Sequence, residues 1–428
     1  MSDVEEACKS VIACVEAAVS ATTTLERRVE AYHAYEDFKE TSPLCAKCGF
    51  VLAAKGNPAL VRHIGLQLVE HCIKFRWNMM AIDDKRFIKD NVMKMMAEGT
   101  DHLLVEQAHI KDALAKLLVE MIKREWPQQW PQLMKELNDL AIIGETQKEL
   151  VLLTFLRLAE DVVDLQTVEG ARRRDLYQAL VKERREICGF FVRTLETHYS
   201  RYRDLRDNQN ADENNQEQFC SNRCAWLCFV PRSCPCTDSL TETTLLTMAG
   251  FMEWTPLKEV MESDGLLPRI FCYLLSDRNL RVLAAECLLQ VLGQKPKKDE
   301  LRLLLALFNQ ETLNAVASAL TSASSEPLSE AAFLFMKKLC SIAASLGQNC
   351  VTHWSLEPER PSVELFAVYL DFLLSLMQHP SQAINAITLP VWASLFRHSD
   401  VSCLDIVRNL LPKFFKVATE KLSKVHPF

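Results

Sequence analysis

Glycine is scarce in this chain, at 11 of 428 residues. Few positions therefore offer the backbone freedom that phosphate-cradling loops need. No Gly-rich phosphate loop, HExxH pair, paired-carboxylate site or nucleophile elbow occurs. The 10 histidines are scattered. A lone histidine on a helix is ordinarily packing or surface, so no enzyme is expected, and no catalytic residue is assigned. Strand-like alternation is also rare. Apolar runs such as Leu301 to Phe308 are too short to span a bilayer, so no membrane insertion is expected. No basic segment followed by an apolar stretch opens the chain, so no secretory leader is expected either. The net charge of −7 is too mild to draw the whole molecule to nucleic acid or an anionic membrane. Any contact with nucleic acid has to come from a local basic face.

Cysteine is present in quantity, with 16 residues, but not in a secreted pattern. Cys72, Cys188, Cys272, Cys287 and Cys340 each sit singly on an apolar helical face, where cysteine acts as a small hydrophobe. The cluster Cys220, Cys224, Cys228, Cys234 and Cys236 is the strongest metal candidate. Its gaps do not form two clean knuckles and no histidine lies nearby. Cys45 and Cys48 form a CxxC with no partner knuckle, at the start of a helix. No metal site is expected. Reduced thiols fit the cytosol, the nucleus or both.

Apolar residues recur at three- and four-residue spacing almost throughout, which predicts an all-α chain. In 58–77, Leu60, Ile64, Leu68, Cys72 and Phe75 line one stripe. In 279–293, Leu280, Leu283, Ala284, Cys287, Leu288 and Val291 do so. Helices of near-constant length, joined by short connections, give one pair per roughly 40–50 residues, the period of HEAT arrays. The predicted architecture is an α-solenoid superhelix of HEAT-type helix pairs, with an open concave face and no internal cavity for small-molecule chemistry. One corner stands out. A predicted helix over 101–125 runs into Trp126-Pro127, and Trp130-Pro131 follows. Pro127 ends the first helix. Pro131 suits the first turn of the next, expected over 131–142. Residues 172–202 form a further predicted helix. Residues 204–243 are polar and then cysteine-rich, with no helical stripe, and 293–300 and 355–362 read as loops. No polar capping repeat follows the last amphipathic segment, as in part of a longer array.

Two basic groups invite a functional reading. Arg173 and Arg184 share a helix face, as do Arg174 and Arg185. With Lys182 they form a candidate cationic stripe for RNA phosphate or an acidic partner. A solvated outer face paired with Asp175, Glu183 and Glu186 is the plainer alternative. At 71–78, His71, Lys74, Arg76 and Trp77 gather at a helix end. Cations there complement the helix dipole. A tryptophan beside arginine also suits a protein interface. Both readings stand.

The residues also carry a family resemblance. NPALVRHIGLQLVEHCIKFRWN is similar to the importin-β amino-terminal repeat. The WPQQWP corner, GETQKELVLLTFLRLAEDVVDLQT and RRRDLYQALV resemble the exportin-type branch of the importin-β superfamily. Later strings such as AGFMEWTPL and QHPSQAINAITLPVWASLFRHS narrow the resemblance to the branch that carries microRNA precursors. It divides the chain into 1–105, importin-β-like repeats; 106–203, exportin-type repeats with the corner; 204–243, an irregular insert; and 244–428, further repeats. It implies a superhelix of HEAT repeats that binds Ran-GTP on the inner face of its first repeats. It implies a hairpin RNA cargo, passage by nuclear pore proteins, and shuttling between nucleus and cytoplasm. GTP enters only as bound to Ran, and the carrier needs no cofactor. For Ran, Arg62, His71, Lys74, Arg76 and Trp77 are the candidate contacts. Family members are much longer, so the clamp for the RNA overhang is expected beyond Phe428. Cys220 to Thr243 departs from the family's regular helix, as retained intron sequence would. The rival expectation from another class is a HEAT scaffold that binds only proteins.

Overall fold

The computed structural model describes residues 3–164, 170–219, 235–252, 255–295, 297–298, 300–325, 329–356 and 360–423. Among these residues there are nineteen α-helices and no strand, as the apolar periodicity requires. The chain divides into two compact units. The first holds Met1–Phe190 and Ser200–Thr247, the second Phe191–Tyr199 and Met248–Phe428.

The first unit opens with α1 (Asp3–Val19), α2 (Leu25–Thr41), α3 (Cys45–Leu52) and α4 (Ala59–His71). It continues with α5 (Ile82–Glu98), α6 (Ala108–Glu125), α7 (Leu133–Ile143) and α8 (Glu145–Asp164). Most of α9 (Gly170–Phe219) and the start of α10 (Pro235–Met252) complete it. Helices pair in sequence: α1 with α2, α3 with α4, α5 with α6, α7 with α8. The second helices α4, α6 and α8 pack side by side as one layer. This is the HEAT-type two-layer arrangement, which lets each pair bury its apolar stripe against its neighbours. The α6 stripe is Ile110, Leu114, Leu117, Leu118, Met121 and Ile122, all buried. Where α3 meets α4, backbone touches backbone: a Cβ on Gly65 would lie 2.5 Å from the Gly49 carbonyl oxygen and 2.4 Å from the Ala53 nitrogen.

The second unit follows the same plan. It contains α11 (Leu257–Val260), α12 (Glu262–Leu274), α13 (Arg281–Leu292), α14 (Leu301–Leu305) and α15 (Gln310–Ser325). Then come α16 (Glu330–Thr352), α17 (Val363–Met377), α18 (Gln382–Arg397) and α19 (Asp405–Ser423). Helices α12 and α13, α15 and α16, and α17 and α18 pair, with α13, α16 and α18 layered side by side. Within this unit the Tyr369 hydroxyl donates to the Ala343 carbonyl at 3.0 Å. Leu280, Ala284, Cys287, Leu288 and Val291 are buried as their stripe predicts, and Leu283 is half-buried.

Three local expectations need correction. The helix read over 58–77 is α4 followed by a π turn, Cys72–Arg76, and a 3₁₀ turn, Trp77–Met79. The wider π turn breaks the three- and four-residue register. Phe75 therefore leaves the buried stripe and is 66% exposed. Leu60, in the first turn of α4, is likewise exposed, while Ile64, Leu68 and Cys72 are buried. Secondly, Pro131 precedes α7 rather than lying in it: the Leu133 N–H bonds the Trp130 carbonyl at 3.3 Å, closing a turn around Pro131. Thirdly, 204–219 and 235–243 are helical, where no helix was read. Residues 170–219 contain no proline, and an established helix extends more easily than one starts. Cys220, Cys224, Cys228 and Cys234 lie outside the described residues.

Candidate functional site

A cleft of ≈ 820 Å³ opens across the second-helix layer of the first unit. The turn after α4 supplies Lys74, Phe75, Trp77 and Asn78. From α6 come Asp112, Lys116, Val119, Glu120, Lys123 and Arg124, largely one stripe at three- and four-residue spacing. Helix α8 adds Arg157, Glu160 and Asp161, and α9 adds Arg172. Six cations thus face four carboxylates, which leaves the lining cationic.

These charges form a ladder across successive repeats. Glu70 of α4 takes Lys74 at 2.6 Å and Lys116 of α6 at 3.1 Å. Buried Glu120 takes Lys123 at 2.5 Å, Arg124 at 2.8 Å and Lys74 at 3.8 Å. Lys123 reaches on to Asp161 of α8 at 2.7 Å. A second group joins Arg157 to Asp112 at 2.6 Å and to Glu160 at 2.8 Å. Burial by itself would raise the Glu70 carboxyl, but the ammonium groups of Lys74 and Lys116 hold it below its ordinary value. Burial would likewise lower Lys74, and Glu70 raises it instead. Both stay ionised, as a ladder of opposite charges requires.

Arg172 is held differently. Its guanidinium donates to the carbonyls of Lys123 at 2.7 Å, Ile122 at 3.5 Å and Trp126, and to the Gln128 amide oxygen at 2.7 Å. It therefore closes the C-terminal end of α6, where carbonyl oxygens lack helical partners. Burial pushes its pKa down from the usual arginine value.

The structure brings two of the five expected Ran contacts to this cleft, Lys74 and Trp77. Trp77 is buried, and its indole N–H donates to Glu125 at 2.8 Å. The others lie elsewhere. Arg62 is 4% exposed and grips both oxygens of Glu106, at 3.0 and 2.9 Å. It is a tie between repeats, so its reading as a surface contact is corrected. His71 is also buried, 3.6 Å from the Glu40 carboxylate and against the Phe75 ring. Burial lowers its pKa. Arg76 donates to the Ser42 and Lys39 carbonyls, at 2.7 and 3.3 Å, closing the end of α2. Sequence reading missed Lys116, Glu120, Lys123, Arg157, Asp161 and Arg172. The one signal was the run of charges at 112, 116, 120 and 123 inside an otherwise apolar helix.

The cationic stripe of α9 separates into parts. Arg173, Arg174 and Arg185 are exposed, and Arg184 is half-buried. Lys182 is exposed too; it follows Arg173 by nine residues, about two and a half turns, and so lies opposite it, but it precedes Arg185 by three and shares that side of the helix. It lines a shallow groove of ≈ 260 Å³ with Trp126, Pro127, Asp175 and Glu183. Trp126 and Trp130 are buried in the corner, where Lys89 lies 3.9 Å from the Trp130 ring centre. Cys45 and Cys48 are buried, and among the described residues no group of His, Cys, Asp or Glu is placed to hold a metal ion. Among the same residues no helix is long and apolar enough to cross a membrane.

Three family models match successive parts of the chain. They are the Importin-beta N-terminal domain over 31–98, Exportin 1-like protein over 107–288, and the Exportin-5 family over 330–427. The chain is 35% identical over 425 residues to Exportin-5 of Mus musculus and, equally, to that of Homo sapiens, covering 99% of this chain and 34% of each relative. The chain belongs to the exportin branch of the importin-β superfamily. Protein HASTY 1 of Arabidopsis thaliana is 25% identical, covering 96% of this chain and 32% of the relative. The crystal structure of Kap121p aligns over 96% of this chain and 38% of that chain, with a TM-score of 0.48 at 13% identity. This exportin-type chain thus spans about a third of the length of the relatives it matches. The cleft straddles two of the matched regions: Lys74 to Asn78 fall in the importin-β match, and the α6, α8 and α9 residues fall in the Exportin 1-like match.

Proposed function

We propose that this chain acts as a nuclear export receptor. It binds Ran in its GTP form on the second-helix layer of its first repeats and carries hairpin RNA, shuttling between nucleus and cytoplasm with the help of nuclear pore proteins. It performs no catalysis and needs no cofactor of its own, since GTP arrives bound to Ran. The observation that supports this best is the cationic cleft across α4, α6 and α8, inside the two family matches. The excess of cations over carboxylates in its lining suits an acidic protein partner, and exposed Phe75 suits an apolar group on it. The exposed Arg173, Arg174 and Arg185 suit RNA phosphates but present no base-reading pocket. RNA binding by this chain alone is therefore weak, insensitive to the 3′ overhang and steeply salt-dependent.

A pull-down of the full chain with Ran loaded with GTP or GDP, with and without a labelled hairpin, tests the reading. Retention of the GTP form over the GDP form is expected, with hairpin retention that falls as salt rises. Indifference to the nucleotide would instead favour a protein scaffold without RNA cargo.

A further inference from the structure

The cleft and the cationic face of α9 meet at one side chain. Arg172 lines the cleft and immediately precedes the exposed Arg173 and Arg174. Five cleft cations are paired to carboxylates: Lys74, Lys116, Lys123, Arg124 and Arg157. Arg172 instead hydrogen-bonds three backbone carbonyls and one amide oxygen, all neutral acceptors, while the carboxylates of Asp175 and Glu125 act on it only through space. This difference has a chemical consequence. A hydrogen bond from guanidinium to carboxylate is roughly twice as strong as one between neutral groups, and the planar fork fits a carboxylate in bidentate fashion. An acidic side chain delivered into the cleft therefore competes well for Arg172. It competes poorly for the five cations that already hold carboxylates. Arg172 also anchors α9, because its bonds run to 122–128 at the end of α6.

We propose that Arg172 is a positioning residue that couples the two surfaces: an acidic group of the protein partner in the cleft draws its guanidinium from the α6 carbonyls and so re-seats the start of α9. The inference rests on the reading that a GTP-loaded partner occupies this cleft. Partner binding then alters how α9 presents Arg173, Arg174 and Arg185. By reciprocity, a polyanion bound to that face changes affinity for the partner by the same factor.

Amide hydrogen exchange over 170–190 tests this on the full chain, alone and saturated with Ran-GTP. In the wild type, Ran-GTP is expected to change exchange there by about tenfold, a usual size for coupling between sites. Arg172→Ala and Arg172→Lys should both weaken Ran-GTP binding and, at saturating Ran-GTP, lose that response, because alanine removes the contact and a lysine lacks the fork that spans several carbonyls. Gln128→Ala removes one acceptor and leaves the arginine charge. It should show a reduced response even if Arg172→Ala fails to fold. Wild-type binding without any change at α9 would overturn this inference alone, as would a full response in Arg172→Lys. Absence of GTP-dependent binding in the same titration would overturn the underlying reading as well.

Discussion

Arg62 shows how far a single residue departs from its appearance in the sequence. As a cation on the predominantly apolar helix Ala59–His71 it reads as a contact for a protein partner. Its partner, Glu106, lies 44 residues away, beyond any local spacing rule. In the fold the pair is almost fully satisfied: Glu106 also accepts the N–H groups of Asp101 at 2.9 Å and Gln107 at 3.1 Å, and Arg62 donates to the Gly99 carbonyl at 3.0 Å. Removing one partner of a buried ion pair leaves the other charge unpaired. Arg62→Ala is expected to cost about 3–5 kcal/mol in a denaturant titration. Burial alone would raise the Glu106 carboxyl, but Arg62 and the backbone N–H groups hold it below its ordinary value. Its folded-state pKa is thus below the unfolded one. The stability it contributes is fully present above about pH 4.3 and is lost as pH falls through the folded value. The melting-temperature gap between wild type and Glu106→Gln should therefore narrow on acidification. A gap independent of pH would contradict the assignment.

At the scale of helices, most of the fold was legible and its interruptions were not. The stripe on 279–293 carried over to α13 nearly residue for residue, because a regular helix is the one geometry that spacing encodes. The π turn at Cys72–Arg76 was hidden, since an inserted residue leaves the composition unchanged and alters only the register. It brings Phe75 to the mouth of the cleft, so part of the candidate site depends on an irregularity that periodicity cannot show. The polar reach of α9 was hidden for the opposite reason: 204–219 have helix-compatible residues but no apolar stripe. The crossing of α3 and α4 offers a direct test of packing. Gly65→Ala places a methyl group against the backbone of Gly49 and Ala53, and overpacking of this kind costs about 1–3 kcal/mol. Gly56→Ala, with nothing within 4 Å of the added carbon, serves as the control and should be tolerated. Equal melting temperatures for the two variants would show that the helices yield.

For the molecule as a whole, the sequence carried the family through the WPxxWP corner and the strings around it, while the cleft emerged only on folding. Its lining comes from four helical segments spread over 74–172, and each contributes charges that look like an ordinary solvated face when read alone. Layering of α4, α6 and α8 turns those separate faces into one ladder. The ladder is thus the proposed seat of the GTP-bound partner. The most direct measurement is a titration of Ran-GTP and Ran-GDP against the wild type and the double variant Lys74→Glu with Lys116→Glu, with helix content followed by circular dichroism. Both lysines are paired with Glu70, so reversal places like charges together at the cleft surface. Selective binding of the GTP form by the wild type is expected, weakened at least about tenfold (1.4 kcal/mol) in the variant with helix content unchanged. Equal affinity of wild type and variant for Ran-GTP would contradict it.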